Sequence, residues 1–360
     1  MTVTELQEQV ARRNAERADS NNESAGAVDH GAGVKIAGSK ILVTGGTGSF
    51  GNRVAAHLAQ YNPSRIIVYS RDEKKQWEMR QRHADFDYMI GDVRDQNRLR
   101  DAMRGVDIVF HAAALKQVPS CEQYPFEALQ TNTIGSNNVC EAAIQAGVNV
   151  LVALSTDKAV KPVNAMGMSK ALMEKIVVSK NMAQIDTRFC CVRYGNVMGS
   201  RGSVIPLFRK QIAKRQPLTI TAGQMTRFMM TLDESVDLVV YAMTQARGGE
   251  IFVRKAPATT VYDLARTMIE KYGEGADIPI KEVGIRPGEK IDEVLVNEYE
   301  IRRATESDTY FVVHPEYRIP DVECHYPLGY EYNSANTRRL ETSEEIGALL
   351  DRMGQVEFYT

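Results

Sequence analysis

The sequence predicts an α/β fold, a doubly wound parallel sheet followed by a smaller C-terminal α/β region. Three observations predict it. The apolar run Ile41, Leu42, Val43 leads straight into the glycine turn Thr44–Gly51, TGGTGSFG. Short apolar runs then alternate with helical segments from Lys40 to about Val197, the pattern of strands joined by crossover helices. From residue 205 to 360 the pattern changes to helices mixed with short strands, with many Arg, Glu and Tyr residues. The arrangement expected is a Rossmann-type domain over 39–204, completed by later crossover segments, and a mainly substrate-binding domain over 205–360.

The first strand is Ile41–Val43, and its turn carries Gly45, Gly48 and Gly51. Glycines at this spacing let a backbone approach a dinucleotide pyrophosphate, and the following helix start offers free N–H groups to the anion. Gly45 and Gly48 are read as sparing room for the phosphates and Gly51 as allowing tight helix packing, with Thr47, Ser49 and Phe50 completing the turn. A plain glycine turn would look the same, so the later strands matter.

The second strand, Ile66–Tyr69, ends at Ser70, Arg71, Asp72, Glu73, Lys74. Arg71 stands where an acid would hold the ribose hydroxyls of NAD, and a guanidinium there, with Lys74 behind it, suits a 2′-phosphate. NADP is therefore expected rather than NAD, although Asp72 remains within reach of the ribose hydroxyls. The third strand, Tyr88–Ile90, is followed by Asp92 and Val93; Asp92 is either an acceptor for the adenine amino group or a helix N-cap. The fourth, Ile108–Phe110, leads through His111 to Ala112, Ala113 and Ala114, small residues that leave space for the cofactor, and to Lys116. His111 is read as a packed strand-end histidine.

The fifth strand, Asn149–Leu154, ends in Ser155, Thr156, Asp157, Lys158, and Lys170 follows in a helical segment opened by Asn164, Ala165, Met166. Strand ends are where such sheets hold their chemistry. The sixth strand is Cys190–Tyr194, with Asn196 beyond it.

The whole chain has 360 residues, 43% hydrophobic and 25% charged, with net charge −2 and pI near 6.4. That balance fits a full globular core and argues against a nucleic-acid binder. No apolar run nears the ~20 residues of a membrane span and no signal peptide is visible, so a cytoplasmic setting is expected. Five scattered cysteines have neither zinc spacing nor a disulfide pattern, and no metal is expected. Residues 1–38 read as an appendage, a helix over Thr4–Asp19 and a mobile linker over Ser20–Ser39.

The chain resembles the extended short-chain dehydrogenases/reductases and, more narrowly, the inverting UDP-N-acetylglucosamine 4,6-dehydratases of bacterial surface-sugar synthesis. The resemblance is carried by TGGTGSFG, SRDEKKQ (70–76), AALKQVPSCE (113–122), STDKAV (155–160), MGMSK (166–170), RYGNVMGSRGSVIP (193–206), MTRF (225–228) and RPGEK (286–290). It implies that Asp157 is the acid at the carbon-6 hydroxyl, Lys158 the base at carbon 5, and Lys170 the ligand of the nicotinamide ribose. It also implies that Lys116 faces the sugar, with Thr156 either touching the sugar or serving as a cap. Asn196, Arg227 and Arg286 would serve the diphosphate, Glu289 the uridine ribose, and Ser203, Val204 and Pro206 the uracil. The superfamily's Tyr-x-x-x-Lys pair would put a tyrosine at position 166; here stands Met166, which has no proton to give, as in one subgroup of these dehydratases. A lysine base further requires a pKa lowered by burial or nearby positive charge, which Lys170 and the nicotinium ring would provide. The expected partner is UDP-N-acetylglucosamine or a related UDP-amino sugar, and a homo-oligomer from dimer to hexamer is expected. A 4-epimerase and a non-catalytic nucleotide-binding protein stay open as alternatives.

Overall fold

The computed structural model describes residues 34–353 except 184, 201 and 322. The helix expected over Thr4–Asp19 lies outside the described residues. The strands are β1 Lys40–Thr44, β2 Arg65–Ser70, β3 Asp87–Ile90, β4 Ile108–His111, β5 Val150–Leu154, β6 Arg188–Arg193, β7 Asn196–Val197 and β8 Leu218–Ile220. They continue as β9 Thr226–Met230, β10 Ile251–Arg254, β11 Ala258–Thr260, β12 Ile280–Glu282, β13 Val294–Val296, β14 Ala304–Glu306, β15 Tyr310–Val313 and β16 Tyr332–Asn333. Nine of them form one sheet in the order β14-β15-β10-β6-β5-β4-β1-β2-β3. The pairs from β3 across to β10 are parallel, while β15 and β14 close the edge antiparallel. All six strands read from the sequence are present, and the fold is a Rossmann-like, mostly parallel sheet with helices. β10, β14 and β15 are the segments by which the later half of the chain returns to it.

The helices are α1 Ser49–Leu58, α2 Glu73–Arg80, α3 Gln96–Ala102, α4 Val118–Gln123, α5 Pro125–Ala128, α6 Gly135–Ala146 and α7 Ala165–Ser179. Beyond them come α8 Val204–Ala213, α9 Leu232–Gln245, α10 Val261–Tyr272 and α11 Ser343–Arg352. In α1 the buried residues are Gly51, Val54, Ala55 and Leu58, one stripe at helical spacing facing the sheet.

Strand alternation divides the core. Leu42, Ile67, Tyr69, Val109, Leu151 and Cys191 pack on one face; Ile41, Val43, Val68, Phe110, Val152 and Cys190 pack on the other. Side chains of successive strand residues point to opposite faces, which explains the adjacent Cys190 and Cys191: each sits in a different core, fully buried, and burial pushes both thiols well up. Val34 and Ile36 are buried in the second core, so the last residues of the stretch read as a linker to Ser39 are packed against the sheet. A further core of Phe208, Leu218, Met225, Leu264, Met268, Ile346 and Leu350 belongs to the later half. By contacts the described residues nevertheless cluster together as one compact unit from Val34 onward.

β1 is flanked by β2 on one side and β4 on the other. The chain winds outward in both directions from there, so a crevice opens beyond the strand ends at that point. Among the described residues no helix is long and apolar enough to cross a membrane.

Candidate active site

A cleft of about 1260 Å³ lies at that crevice, lined from the glycine turn through Arg71, Asp92, Ala112–Ala114 and Lys116 to Thr156, Asp157, Lys158, Met166 and Lys170. Gly48 is the N-cap of α1 and supplies no side-chain cap, so the first-turn N–H groups of Ser49, Phe50 and Gly51 are offered to the cleft. Gly45 has φ +66°, and a Cβ there would meet the Ala113 amide at 2.7 Å. The backbone after β4 therefore by itself requires a glycine here. A Cβ at Gly51 would meet the Gly45 carbonyl oxygen at 2.5 Å, so this glycine closes the turn itself.

The end of the cleft beside Arg71 differs from expectation in two ways. Asp72 caps α2, accepting from the Lys75 amide at 3.0 Å and pairing with the Lys75 ammonium; these hydrogen bonds hold its carboxyl below the usual range. Lys75, not Lys74, lines the cleft, while Lys74 points to solvent 3.7 Å from Glu78. Asp92 is not the N-cap of α3; Asp95 is, accepting from the Arg98 amide. Asp92 instead lies between Arg71 (3.3 Å) and Arg94 (2.8 Å). Burial opposes its charge, but Arg94 and Arg71 prevail and hold its carboxyl low. Thr47 donates to Ser70 at 2.9 Å, and Val93 is buried at the cleft floor. Arg82 and His83 also line this end; no motif singled them out.

At the other end, β5 runs into a single 3₁₀ turn over Asp157–Ala159, capped by Thr156, whose hydroxyl accepts from the Lys158 amide and donates to Asp157 at 2.6 Å. Asp157 is 1% exposed. Lys158 Nζ lies 3.1 and 3.2 Å from the two Asp157 oxygens and 3.2 Å from Glu293 Oε1. Burial alone would lower the pKa of Lys158, yet the two carboxylates outweigh it and raise the pKa. The lowered pKa expected of a lysine base is thus not at Lys158. It is at Lys170, which is buried on α7, donates to the Leu154 carbonyl and is pulled down to about 8 by desolvation.

Met166 is 4% exposed and packs beside Cys121 and Ala128. Tyr194 brings a phenol to the cleft, but burial and then Asp157 push its pKa far up, so it is no ready phenolate. His111 is 1% exposed and bonded to Thr44 (2.7 Å) and Ser136 (2.8 Å). Desolvation takes it down to about 3, so it stays neutral and structural. Among the described residues no group of His, Cys, Asp and Glu could hold a metal ion.

Beyond β6, Asn196 and Pro206 line the cleft, and Asn196, Ser203, Val204 and Arg227 line a small adjoining cavity with Thr259. The side-chain oxygens of Asn196, Ser203 and Thr259 are buried without a hydrogen-bond partner among the described residues. Buried polar atoms of this kind await a ligand or water. The Arg227 guanidinium is spent on the carbonyls of Thr226, Lys290 and Ile291. Arg286 and Glu289 lie 3.6 Å apart outside the cleft lining; Glu289 Oε2 is buried without a hydrogen-bond partner among the described residues, and the neighbouring Gly288 carbonyl accepts from Asn164 at 2.8 Å.

The sequence profile of the family described as "Polysaccharide biosynthesis protein" matches residues 41–315. A protein named UDP-glucose 4-epimerase from Rickettsia typhi is 46% identical over 86% of this chain and 95% of its own. The crystal structure of Pen from Bacillus thuringiensis superimposes with a TM-score of 0.82 at 36% identity, over 88% of this chain and 99% of that one. The dTDP-glucose 4,6-dehydratase DesIV from Streptomyces venezuelae, solved with NAD, shares the fold at 22% identity and a TM-score of 0.64, over 70% of this chain and 86% of that one. With its glycine turn, its crevice and most of its length so matched, the chain belongs to the polysaccharide biosynthesis protein family.

Proposed function

We propose that this protein is a nucleotide-sugar enzyme that oxidises carbon 4 and then eliminates water, an NADP-dependent UDP-N-acetylglucosamine 4,6-dehydratase that inverts carbon 5. The carrying observation is the buried Asp157–Lys158 contact beside Met166. A reaction needing both an acid and a base at the sugar has them side by side, whereas a phenol is missing at position 166. The glycine turn, Arg71, Asp92 and Lys170 suit a nicotinamide dinucleotide, which when bound supplies a hydride acceptor and donor. The family membership and the dehydratase and epimerase names of its relatives support the coarse class.

The raised pKa of Lys158 keeps a proton on its amine in the open cleft. Substrate closing the cleft removes water, and low dielectric favours the neutral arrangement over the ion pair. The proton then sits on Asp157 and the amine of Lys158 is free. Asp157 gives its proton to the departing carbon-6 hydroxyl, and Lys158 takes the proton of carbon 5, acidified by the adjacent ketone. Lys158 has by then already taken the 4-hydroxyl proton, for which Met166 has no atom, and passed it to solvent. Solvent returns a proton to the opposite face, which inverts that carbon, and the proton held by Lys158 restores the resting couple. Lys116 orients the hexose, Asn196 and Ser203 take the nucleotide with Val204 and Pro206, and Thr156 holds Asp157 in place.

A UDP-N-acetylhexosamine 4-epimerase is the second reading, supported by the name of the 46% identical relative. Incubation with UDP-N-acetylglucosamine in heavy water separates the two by mass and proton NMR. Loss of one water with deuterium at carbon 5 is expected, and Lys158→Ala should abolish it. Unchanged mass with an inverted carbon 4 refutes the dehydratase, and no turnover of any UDP-hexosamine refutes both.

A further inference from the structure

Glu293 belongs to none of the roles above, yet it is a buried acid touching the proposed base. It lies 135 residues beyond Lys158 in sequence, just before β13, and is 2% exposed. Its Oε1 is 3.2 Å from Lys158 Nζ and 3.8 Å from Arg227 Nε, and its Oε2 has no partner among the described residues. Its backbone is fixed: the amide donates to Ser334 Oγ at 2.9 Å and the carbonyl accepts from the Ser334 amide at 2.8 Å. Ser334 is itself 0% exposed and meets Thr226. A carboxylate set so firmly against an amine is expensive to bury unless it is paired, and Lys158 is its nearest cation.

We propose that Glu293 is a positioning residue of the acid–base couple, holding the Lys158 amine at the cleft and keeping a proton on it until substrate binds. The inference rests on the catalytic use of Lys158 but not on which reaction follows. Lys158 hangs between Asp157, on the turn after β5, and Glu293, from the later half of the chain. With Asp157 alone the amine could rotate about its four-carbon stem; with both carboxylates it has one place. The groups facing it are Asp157, Glu293, Arg227 and Lys290, the last bonded to the Val160 carbonyl. Arg227 and Lys290 oppose its charge and the two acids favour it. Removing one acid must therefore lower the pH at which Lys158 loses its proton. Glu293 does not line the cleft, so it acts through Lys158 and not on the sugar.

The test is the titration of Lys158 itself. Trace acetylation of the folded protein over a pH series, read by peptide mass spectrometry, gives the midpoint for each lysine. Glu293→Gln keeps size and packing and should lower the Lys158 midpoint by about one pH unit or more, with Lys170 unmoved. Glu293→Asp keeps the charge and should leave the midpoint near that of the wild type. Turnover of Glu293→Gln should fall about tenfold or more with KM within about twofold, the mark of a lost arrangement rather than lost binding. A Lys158 midpoint unchanged in Glu293→Gln overturns the proposal. Should Glu293→Gln not fold, a shifted midpoint in Glu293→Asp is the opposing result and a wild-type midpoint with normal turnover the supporting one. If the midpoint shifts but the product is an epimer, the dehydratase reading fails and this inference stands; if water is lost but the midpoint stays, the reverse holds.

Discussion

Arg193→Met should cost about 5 kcal/mol of folding stability near neutral pH, and the cost should shrink in acid. Arg193 ends β6 and is 1% exposed. Its guanidinium makes five hydrogen bonds: Nε and Nη2 to Glu174 (3.0 and 2.6 Å), Nη1 and Nη2 to Glu300 (2.9 and 3.0 Å), and Nη1 to the Leu295 carbonyl (2.8 Å). Methionine fills much of the volume but leaves two buried carboxylates and a carbonyl with no donor. Breaking a buried pair costs roughly 3–5 kcal/mol, and an orphaned carbonyl adds about 1–3, partly offset by protonation and water entry. Burial alone would raise the Glu300 carboxyl, but Arg193 overrides it and holds the pKa below 4.5. In the wild type that contribution is complete above the unfolded pKa and is lost as pH falls through the folded one. In Arg193→Met the same carboxyl is pushed up, so the folded variant takes up a proton sooner and recovers stability as pH falls. Chemical denaturation at pH 7.5 and pH 5 reads both quantities. A gap under about 1 kcal/mol, equal at both pH values, would refute the reasoning. Replacing Arg193, Glu174 and Glu300 together by apolar residues should restore most of the loss. Glu174 lies one turn from Lys170 on α7, so Arg193→Met should also weaken dinucleotide binding.

Two further substitutions address the cleft directly. Lys170→Met should inactivate the protein while stabilising it at pH 7 by on the order of 3 kcal/mol, because folding pulls the lysine from 10.5 to about 8 and that cost is present below pH 8 and relieved toward 10.5. Thermal melts at pH 7 and pH 10 check it, and equal stabilities at pH 7 would count against it. Arg71→Asp should reverse the preference between the two nicotinamide dinucleotides, lowering affinity for the 2′-phosphorylated form by about tenfold or more; titration calorimetry with both forms reads the ratio, and an unchanged ratio refutes the role of Arg71.

Much of this was legible because it is local. Six strands could be read from short apolar runs, since a strand buried on both faces has no polar positions to confuse it. The glycine turn and the Asp157–Lys158 pair are contiguous in sequence. The misplacements are matters of phase within a turn: Lys75 rather than Lys74 faces the cleft, and Asp95 rather than Asp92 caps α3. A shift of one to three residues near a helix start redirects a side chain, and composition does not fix that shift. The raised pKa of Lys158 could not be read in full because one of its causes, Glu293, arrives from far along the chain. The same distance hid Thr259 and the antiparallel edge strands β14 and β15, whose runs of three and four residues fall below what a periodic pattern resolves.

The order of strands in the large sheet sets a schedule for synthesis. β6 emerges from the ribosome by residue 193, but its outer neighbour β10 is not finished until residue 254. At about 5–20 residues per second the wait is about 3–12 s. Throughout it Phe189, Cys190, Cys191 and Val192 form an open apolar margin, the kind that recruits stray strands. A nascent chain cut short near residue 250 should therefore precipitate or stay on a chaperone.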